Sequence, residues 1–305
     1  MSVTQQTLAV RPATVVARPV RSVWLGGLRG TDHIWAIAFA LPYAAVFFAF
    51  VVYPICYGLW LGGQSQLYRQ LFDDPRYLTS VVNTIVYVGV GVNLKMALAF
   101  LLSGFFMRKR WWIKALLVVF ILPWATPALP AYMSIHWLLN GQWGMLNNVL
   151  YMLFGIDGPV YLNDHWTGLA ANIGAYIWKN LPFWTIILLA GRMAVPQELY
   201  EAAEVDGASG LRRFRHITLP LMANLYLVCT LLDTIFALGD FNATYFVSGG
   251  GPAMSTEVLA TLGIRYAFTT ALPRLGVATV MTALPVLIPL VFILMRKLRV
   301  KEVQL

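Results

Sequence analysis

One polar island interrupts an otherwise apolar chain, and its residues are suited to docking another protein. The island reads Glu201-Ala202-Ala203-Glu204-Val205-Asp206-Gly207, and Ile217-Thr218-Leu219-Pro220 begins ten residues after the glycine. Acidic side chains in the N-terminal half of a short helix are favoured by the helix dipole. Gly207 can adopt the left-handed conformation that ends a helix, while Ala202 and Ala203 let another backbone approach closely. The pattern predicts two short helices at an angle, with Pro220 beginning the next apolar segment.

A second group of polar residues lies within apolar segments, where polar side chains are costly and often functional. The candidate residues are Asn172, Tyr176, Lys179 and Phe183 at helical spacing, Asn180 and Trp184 beside them, and Asp240 and Asn242 further along the chain. Sugar hydroxyls can hydrogen-bond to such a surface, and sugar C–H faces can stack on its aromatic rings. The surface therefore suits a polyol pathway. The alternative is a subunit interface whose polar groups are satisfied by neighbouring helices.

Asp233 lies seven residues before Asp240, and therefore on the same helical face, but deeper in its apolar segment. An unpaired charge at this depth would be neutralised or expelled, so Asp233 needs a cationic partner. Lys95 and Lys179 are the two candidates, and we favour a structural ion pair over a substrate contact. If either lysine were unpaired, an anionic sugar derivative would become a plausible cargo.

The elements that carry these residues are predicted to be membrane-spanning helices. Of 305 residues, 59% are hydrophobic and only 11% are charged, whereas soluble domains have about 25% charged residues. A helix needs about 20 largely apolar residues to cross a bilayer. Six segments qualify: about 33–62, 79–107, 114–139, 167–190, 220–240 and 273–295. The predicted fold class is an all-α integral membrane protein with six transmembrane helices.

The distribution of positive charge predicts how these helices are oriented. Of the 22 Lys and Arg residues, 16 fall in the two terminal tails and in the loops after the second and fourth spans. Because positive residues are retained in the cytoplasm, both termini and the Glu201 island should be cytoplasmic. The net charge of +9 is thus a topology signal, with no nucleic acid implied. We divide the chain into a basic, disordered tail over 1–30, a six-span domain over 31–298 and a short cytoplasmic tail over 299–305.

The outward loop at 140–166 contains no Lys or Arg and is rich in aromatic and amide side chains. Amphipathic aromatic residues favour the membrane interface, so this loop should contain a short helix on the outer surface. The alternative is a docking surface for an external protein.

The Glu201 island resembles, position for position, the EAA loop of the membrane subunits of binding-protein-dependent ABC importers. The family pattern is Glu-Ala-Ala, three residues, Gly, nine residues and Ile-x-Leu-Pro. The matching residues are Glu201, Ala202, Ala203, Gly207, Ile217, Leu219 and Pro220. Three further segments, Asn83-Thr84, 178–184 and 249–252, are similar to the carbohydrate branch of these importers, the maltose-type permeases. The likeness covers roughly residues 33–298.

This resemblance implies a type I ABC importer permease fold and a subunit that forms half of a pathway for a sugar, sugar alcohol or sugar derivative. A second homologous permease subunit would complete the pathway in the bacterial cytoplasmic (inner) membrane. Two ATP-binding subunits would dock on the coupling loop, residues 196–220, and a periplasmic or lipid-anchored solute-binding protein would deliver the cargo. The chain has no Gly-x-x-x-x-Gly-Lys-Ser/Thr phosphate loop, so ATP hydrolysis would belong to a partner.

Other classes fit the residues less well. A secondary transporter typically shows internal repeats, which are not evident here, and would not explain the Glu201 island. The four histidines are scattered without ligand spacing, and no nucleophile motif appears, so neither an enzyme nor a metal or other cofactor is expected. A non-transporting structural membrane subunit is the remaining alternative.

Overall fold

A computed structural model of the chain describes residues 30–208 and 210–302. The basic tail predicted for residues 1–30 lies outside the described residues except for Gly30, and so does the end of the predicted C-terminal tail, residues 303–305.

The regular structure in the described residues is helical, which confirms the predicted all-α class. The helices are α1 (Gly30–Phe47), α2 (Tyr53–Gly62), α3 (Ser65–Asp73), α4 (Pro75–Phe106), α5 (Trp111–Ala125), α6 (Ala128–Leu138), α7 (Met145–Phe154), α8 (His165–Met193), α9 (Gln197–Val205), α10 (Gly210–Arg213), α11 (Leu219–Gly239), α12 (Asn242–Val247), α13 (Leu259–Ile264), α14 (Pro273–Met281) and α15 (Leu284–Glu302). Turns of π-helix at Phe48–Val52, Phe214–Thr218 and Arg265–Thr269 continue α1, α10 and α13.

The predicted spans correspond to helical segments that are long and apolar enough to cross a membrane. Five are single segments: Trp35–Gly62, Pro75–Phe106, His165–Met193, Gly210–Gly239 and Pro273–Ile293. The third predicted span, 114–139, is instead a pair of helices, α5 and α6, which meet at an angle of 98°. Counting this pair as one span gives six.

The chain divides into two compact units after Cys56. In the first unit, α1, its π turn and the first turn of α2 form one helical segment. Its large apolar side chains, such as Trp35, Phe39 and Phe50, are exposed. Such a surface is what a helix presents to lipid or to another membrane protein.

In the second unit, α4 packs along α8, and α11 packs against both. The buried core between these helices contains Tyr87, Met96, Tyr176, Leu188 and Met222. The starts of the two long helices are defined by acidic caps. Asp74 accepts a hydrogen bond from the backbone N–H of Arg76 at the start of α4, and Asp164 accepts two at the start of α8. Side-chain caps of this kind satisfy amides that have no partner within the helix.

The residues between α12 and α13 are fastened to α4 by side-chain hydrogen bonds. Asn83 donates to the backbone oxygens of Ser255 and Glu257, at 2.7 and 2.8 Å. The ring atom Nε2 of His165 lies 2.8 Å from the side-chain oxygen of Asn83. The hydroxyl of Thr84 accepts a hydrogen bond from the backbone amide of Leu259. This connection is therefore held rigidly at the end of the bundle where α4 and α8 begin.

A charged contact holds the start of α4 against the π turn after α13. Asp74 receives hydrogen bonds from the guanidinium of Arg76 and from the hydroxyl of Tyr266. The hydrogen bonds from Arg76 are the main reason that the pKa of Asp74 is lowered to about 2. The carboxylate therefore stays ionised, and the contact intact, across the physiological pH range.

Helices α13 and α14 approach so closely that a glycine is required at their crossing. A Cβ atom added at Gly276 would lie 2.5 Å from the backbone oxygen of Gly263 and 2.9 Å from the Cβ of Ala267. Neither neighbour can move without shifting the backbone of α13 or of its π turn.

We expect Gly276→Ala to lower the thermal stability of the purified protein, because overpacking at such a contact costs roughly 1–3 kcal/mol. Gly89→Ala in α4 is the matched control, since its added Cβ meets nothing within 4 Å. Alanine exceeds glycine in helix propensity by about 1 kcal/mol, so the control should be as stable as wild type or more stable. The melting temperatures of both variants and of wild type are measured in the same detergent. Equal melting temperatures for Gly276→Ala and wild type would contradict the close approach of α13 and α14 at Gly276.

Candidate functional site

A cavity of about 640 Å³ lies between the bent pair α5–α6, α8 and the end of α11. Its lining residues are Trp124, Ala128, Tyr132, Tyr176, Lys179, Asn180, Phe183, Trp184, Asp233, Ile235, Phe236, Gly239, Asp240 and Asn242. Aromatic rings and polar groups thus face the same space, and its volume is in the range of small-molecule pockets.

The bend between α5 and α6 opens one wall of this cavity. Proline disfavours a helical conformation in the residue before it, and Thr126 before Pro127 is extended. The last carbonyls of α5 are therefore left without helical partners. Lys179 of α8 supplies the missing donors. Its ammonium donates to the backbone oxygens of Pro123, Trp124 and Thr126, at 2.8, 3.2 and 2.6 Å.

Aromatic side chains form most of the apolar surface of the cavity. Trp124 and Phe183 stack with ring centroids 5.4 Å apart and an interplanar angle of 21°. Trp184 meets Phe183 edge to face at 5.0 Å and lies 6.2 Å from Phe236. These rings join the bent span, α8 and α11 into one wall.

An ion pair between α4 and α11 is buried against the cavity. Lys95 donates to Oδ1 of Asp233 at 2.8 Å, and these side chains are 0% and 1% exposed. The hydroxyl of Tyr176 donates to the same oxygen at 3.1 Å, and the ammonium of Lys95 lies 3.6 Å from the centre of the Tyr176 ring. Asp233 therefore forms the structural ion pair that we favoured, with Lys95 as its partner. Lys179 makes no ion pair among the described residues and donates only to backbone oxygens, so an anionic sugar derivative remains a prediction.

Asp240 lies at the C-terminal end of α11 and is half-buried. It accepts a hydrogen bond from the hydroxyl of Tyr87 at 2.9 Å and another from the backbone amide of Asn242 at 3.0 Å. The carboxylate thus joins the core of α4 to the turn that begins α12.

The structure brings seven of the eight predicted pathway residues to this cavity: Tyr176, Lys179, Asn180, Phe183, Trp184, Asp240 and Asn242. Asn172 does not line it, contrary to the prediction. Its side chain is fully buried, and its amide donates to Ser248 Oγ at 2.9 Å. Asn172 shares the helical face with Tyr176, but α12 packs against α8 and the residue just after α12 supplies its partner.

Sequence reasoning missed the walls contributed by the third span and by α11. Trp124, Ala128 and Tyr132 lie on either side of the bend, and Ile235 and Phe236 lie on α11. The prolines at 123, 127 and 130 were the available signal for a broken helix, but the uninterrupted apolar run concealed it.

The Glu201 island folds as predicted up to its glycine. Helix α9 ends at Val205, and Gly207 has a φ of +72°, so it takes the left-handed conformation. Hydrogen bonds from Gly207 N to Glu204 O and from Ala208 N to Ala203 O close the end of the helix. Ala203 is buried, while Glu201 and Ala202 are exposed.

The second half of the island differs from the prediction of a separate short helix. Residues 210–213 continue through the π turn at Phe214–Thr218 into α11, so the basic segment forms the first turns of the fifth span. Ile217 lies in the π turn, and Leu219 and Pro220 begin α11. Proline has no N–H to donate and its ring clashes with the carbonyl four residues earlier in an α-helix. The wider π turn just before Pro220 relieves this clash, so the helix continues without a break.

Exposed apolar side chains flank this glycine turn. Val205 is 89% exposed and Leu211 is 80% exposed, and Leu199 is also exposed. Arg213 forms an ion pair with Glu204 at 3.3 Å, and the hydroxyl groups of Tyr200 and Thr218 are 3.1 Å apart. Helix α9 is thus tied to the start of α11 and keeps a free apolar and acidic surface.

Comparison with known proteins identifies the family. The family described as "Binding-protein-dependent transport system inner membrane component" matches residues 95–301. The sulfoquinovosyl glycerol transport system permease protein SmoG of Agrobacterium fabrum is 31% identical over 261 residues, which cover 78% of this chain and 81% of the relative. The trehalose/maltose transport system permease protein MalF of Thermococcus litoralis is 30% identical and covers 74% of this chain and 81% of its own length.

Among solved structures, a chain of a bacterial ABC transporter involved in the import of the acidic polysaccharide alginate has a TM-score of 0.76. The two chains share 21% sequence identity, and the match covers 88% of this chain and 96% of the other. This likeness confirms the predicted type I ABC importer permease fold. On the family match and the two relatives, the chain belongs to the binding-protein-dependent transport system inner membrane components.

Proposed function

We propose that this family member is one of two permease subunits of an ATP-driven importer, and that it forms half of a pathway for a carbohydrate across the bacterial cytoplasmic membrane. The observation that carries the proposal is the cavity between the bent third span, α8 and α11. The names of the two relatives, which specify sulfoquinovosyl glycerol and trehalose/maltose, support a sugar, sugar alcohol or sugar derivative as cargo.

The cavity offers the two kinds of contact that a sugar needs. The stacked rings of Trp124 and Phe183 supply an aromatic face for sugar C–H groups. Asn180, Asn242 and Asp240 supply amide and carboxylate groups for hydroxyls. Ligand pockets commonly combine apolar walls with a few polar groups that set orientation.

The Glu201 island serves as the coupling segment in this proposal. Its contact residues would be Glu201, Ala202 and the turn at Gly207. Buried Ala203 would hold α9 in place, and Ile217, Leu219 and Pro220 would anchor the segment to α11. Exposed Val205 and Leu211 beside an acidic helix form a surface that an ATP-binding subunit could hold. Helix α9 follows α8 closely in the chain, and the contacts of Glu204 with Arg213 and of Tyr200 with Thr218 tie it to the segment that begins α11. Force applied to α9 would therefore reach both helices that line the cavity.

The remaining partners follow from the family. A second, homologous permease subunit would complete the pathway, two ATP-binding subunits would hydrolyse ATP, and a periplasmic or lipid-anchored binding protein would deliver the cargo. The charge distribution supports a cytoplasmic location for both termini and for the coupling segment. The lipid bilayer would surround the six spans.

The assembly can be tested by purification of the chain with the ATP-binding subunit and the binding protein encoded beside it. We expect the ATP-binding subunit to copurify, and the binding protein with its sugar to stimulate ATP hydrolysis by the reconstituted complex. A secondary transporter or a structural subunit would show neither copurification nor stimulated ATP hydrolysis. Failure of the chain to assemble with any ATP-binding subunit would contradict the proposal.

We expect substitutions at Gly207 to uncouple ATP hydrolysis from uptake in a graded manner. A residue with a side chain pays about 1–2 kcal/mol in the left-handed conformation, so Gly207→Ala should lower uptake in proteoliposomes only partly. Proline cannot reach a positive φ, so Gly207→Pro should lower it to near background while sugar binding by the external protein stays intact.

Gly210→Ala is the matched control for this series. Gly210 lies three residues further along, has no positive φ, and an added Cβ there meets nothing within 4 Å. Its uptake should equal that of wild type. Wild-type uptake in Gly207→Pro would show that the glycine turn has no part in coupling.

We expect Phe183→Ala to raise the sugar concentration that gives half-maximal uptake by about tenfold, the equivalent of roughly 1.4 kcal/mol. The substitution removes one ring of the stacked pair that lines the cavity. Trp178→Ala is the control, because Trp178 lies on α8 but lines a different, apolar cleft beside α6. Similar changes in both variants would mean that the cavity does not hold the sugar.

A further inference from the structure

The connection between α4 and α5 carries four exposed basic side chains within seven residues: Arg108, Lys109, Arg110 and Lys114. No acidic residue occurs from position 75 to position 156. None of the four cations has a carboxylate within 4 Å among residues 30–208 and 210–302. Four positive charges are thus left without a counter-charge at this connection, which we call the basic turn (residues 107–114).

The basic segment before α11 differs in this respect. It follows α9, whose side chains include Glu198, Glu201 and Glu204, and Arg213 forms an ion pair with Glu204 at 3.3 Å. Retention of positive charge in the cytoplasm is served by both basic segments alike. The topology of the chain therefore does not account for the missing counter-charges at the basic turn.

Aromatic side chains indicate that the basic turn lies at the membrane surface. Trp111 is 81% exposed, and Trp112 beside it is also exposed. The ring of Phe105 lies 6.0 Å from the ring of Trp112, and the guanidinium of Arg108 lies 5.7 Å from the centre of the same Phe105 ring. Tryptophan is enriched at the boundary between hydrocarbon and headgroups. The cations are therefore expected at the depth of the lipid headgroups.

The exposed surface of α5 becomes apolar directly after Lys114. Leu116, Val118, Val119 and Leu122 are exposed, and no charged residue follows Lys114 on this helix. The surface thus changes from basic to apolar within about one helical turn. A phospholipid matches both parts, because its phosphate can contact the basic turn while an acyl chain lies along α5. A soluble anion or an acidic protein surface would match only the basic part.

We propose that the basic turn and the exposed face of α5 bind an anionic phospholipid, with Arg108, Lys109 and Arg110 at the headgroup and Trp111 at the boundary with the hydrocarbon. The headgroup carries a net negative charge in this proposal, because a zwitterionic headgroup brings a cation of its own that the basic side chains would repel. The inference concerns the lipid surroundings of the chain and does not depend on the cargo.

The test places a photoreactive side chain at the proposed boundary. The full chain carrying Trp111→benzoylphenylalanine, with the subunits that copurify with it, is reconstituted in vesicles of equal parts phosphatidylglycerol and phosphatidylcholine with identical acyl chains. Illumination crosslinks the neighbouring lipid, and mass spectrometry identifies it. We expect the phosphatidylglycerol adduct to exceed the phosphatidylcholine adduct by about fivefold or more, the effect of one basic side chain on the attraction to an anionic membrane surface.

Charge variants in the same photoreactive background show which residues cause the preference. Replacing Arg108, Lys109 and Arg110 together by Gln should bring the ratio of the two adducts close to one. Arg108→Lys with Arg110→Lys keeps the charge and should preserve the ratio. The matched control replaces Arg212, Arg213 and Arg215 by Gln, which removes the same number of charges from the segment before α11, and its ratio should be unchanged.

Three results would overturn the proposal: a ratio near one in the starting variant, an unchanged ratio after the three charges of the basic turn are removed, or an equal loss in the control. A crosslink to another protein subunit in place of lipid would show that the basic turn is a protein contact and would overturn it as well.

Discussion

The buried ion pair between Lys95 and Asp233 constrains the helices at the core of the second unit. It joins α4 to α11, and Tyr176 of α8 adds a hydrogen bond and an aromatic face to the same pair. Removing one partner of a buried pair typically costs about 3–5 kcal/mol, because the other charge is left uncompensated. The relative positions of three helices are therefore set at one point, and the cavity lies directly beside it.

The bent third span meets a related demand. Backbone groups inside a membrane must be satisfied within the protein, and a 98° bend leaves the end of α5 without helical partners. Lys179 donates three hydrogen bonds to these backbone oxygens, and its ammonium group is buried as a result. A lysine that looks like a ligand for an anion is thereby a structural part of the wall. The same bond set keeps Trp124 next to Phe183, which gives the cavity its stacked aromatic face.

The sequence was sufficient for features that depend on one dominant physical constraint. Bilayer thickness fixes the length of apolar segments, so the spans were predictable, and only glycine readily ends α9 with a φ of +72°. Helical spacing placed Tyr176, Lys179 and Phe183 on one face. Periodicity specifies a face but not the neighbour that covers it, and for this reason Asn172 was misplaced. Every residue carries a backbone oxygen, so the order of side chains does not show which of these oxygens will accept a hydrogen bond. The partners of Lys179 could therefore not be predicted from the sequence.

Because the basic segment at 210–218 is continuous with α11, the coupling segment is connected to the cavity through one uninterrupted helix. Arg192 near the end of α8 donates to the backbone oxygen of Phe100 at 2.9 Å, and the ring of Phe100 packs against Phe214 and Tyr226 at 5.6 and 5.5 Å. These contacts hold the end of α8 and the π turn before α11 against α4. Since no hinge separates the basic segment from α11, we expect a displacement of α9 to move α8 and α11 as packed rods. The ion pair and the walls of the cavity lie on those same helices, so we expect motion at the glycine turn to alter the cavity.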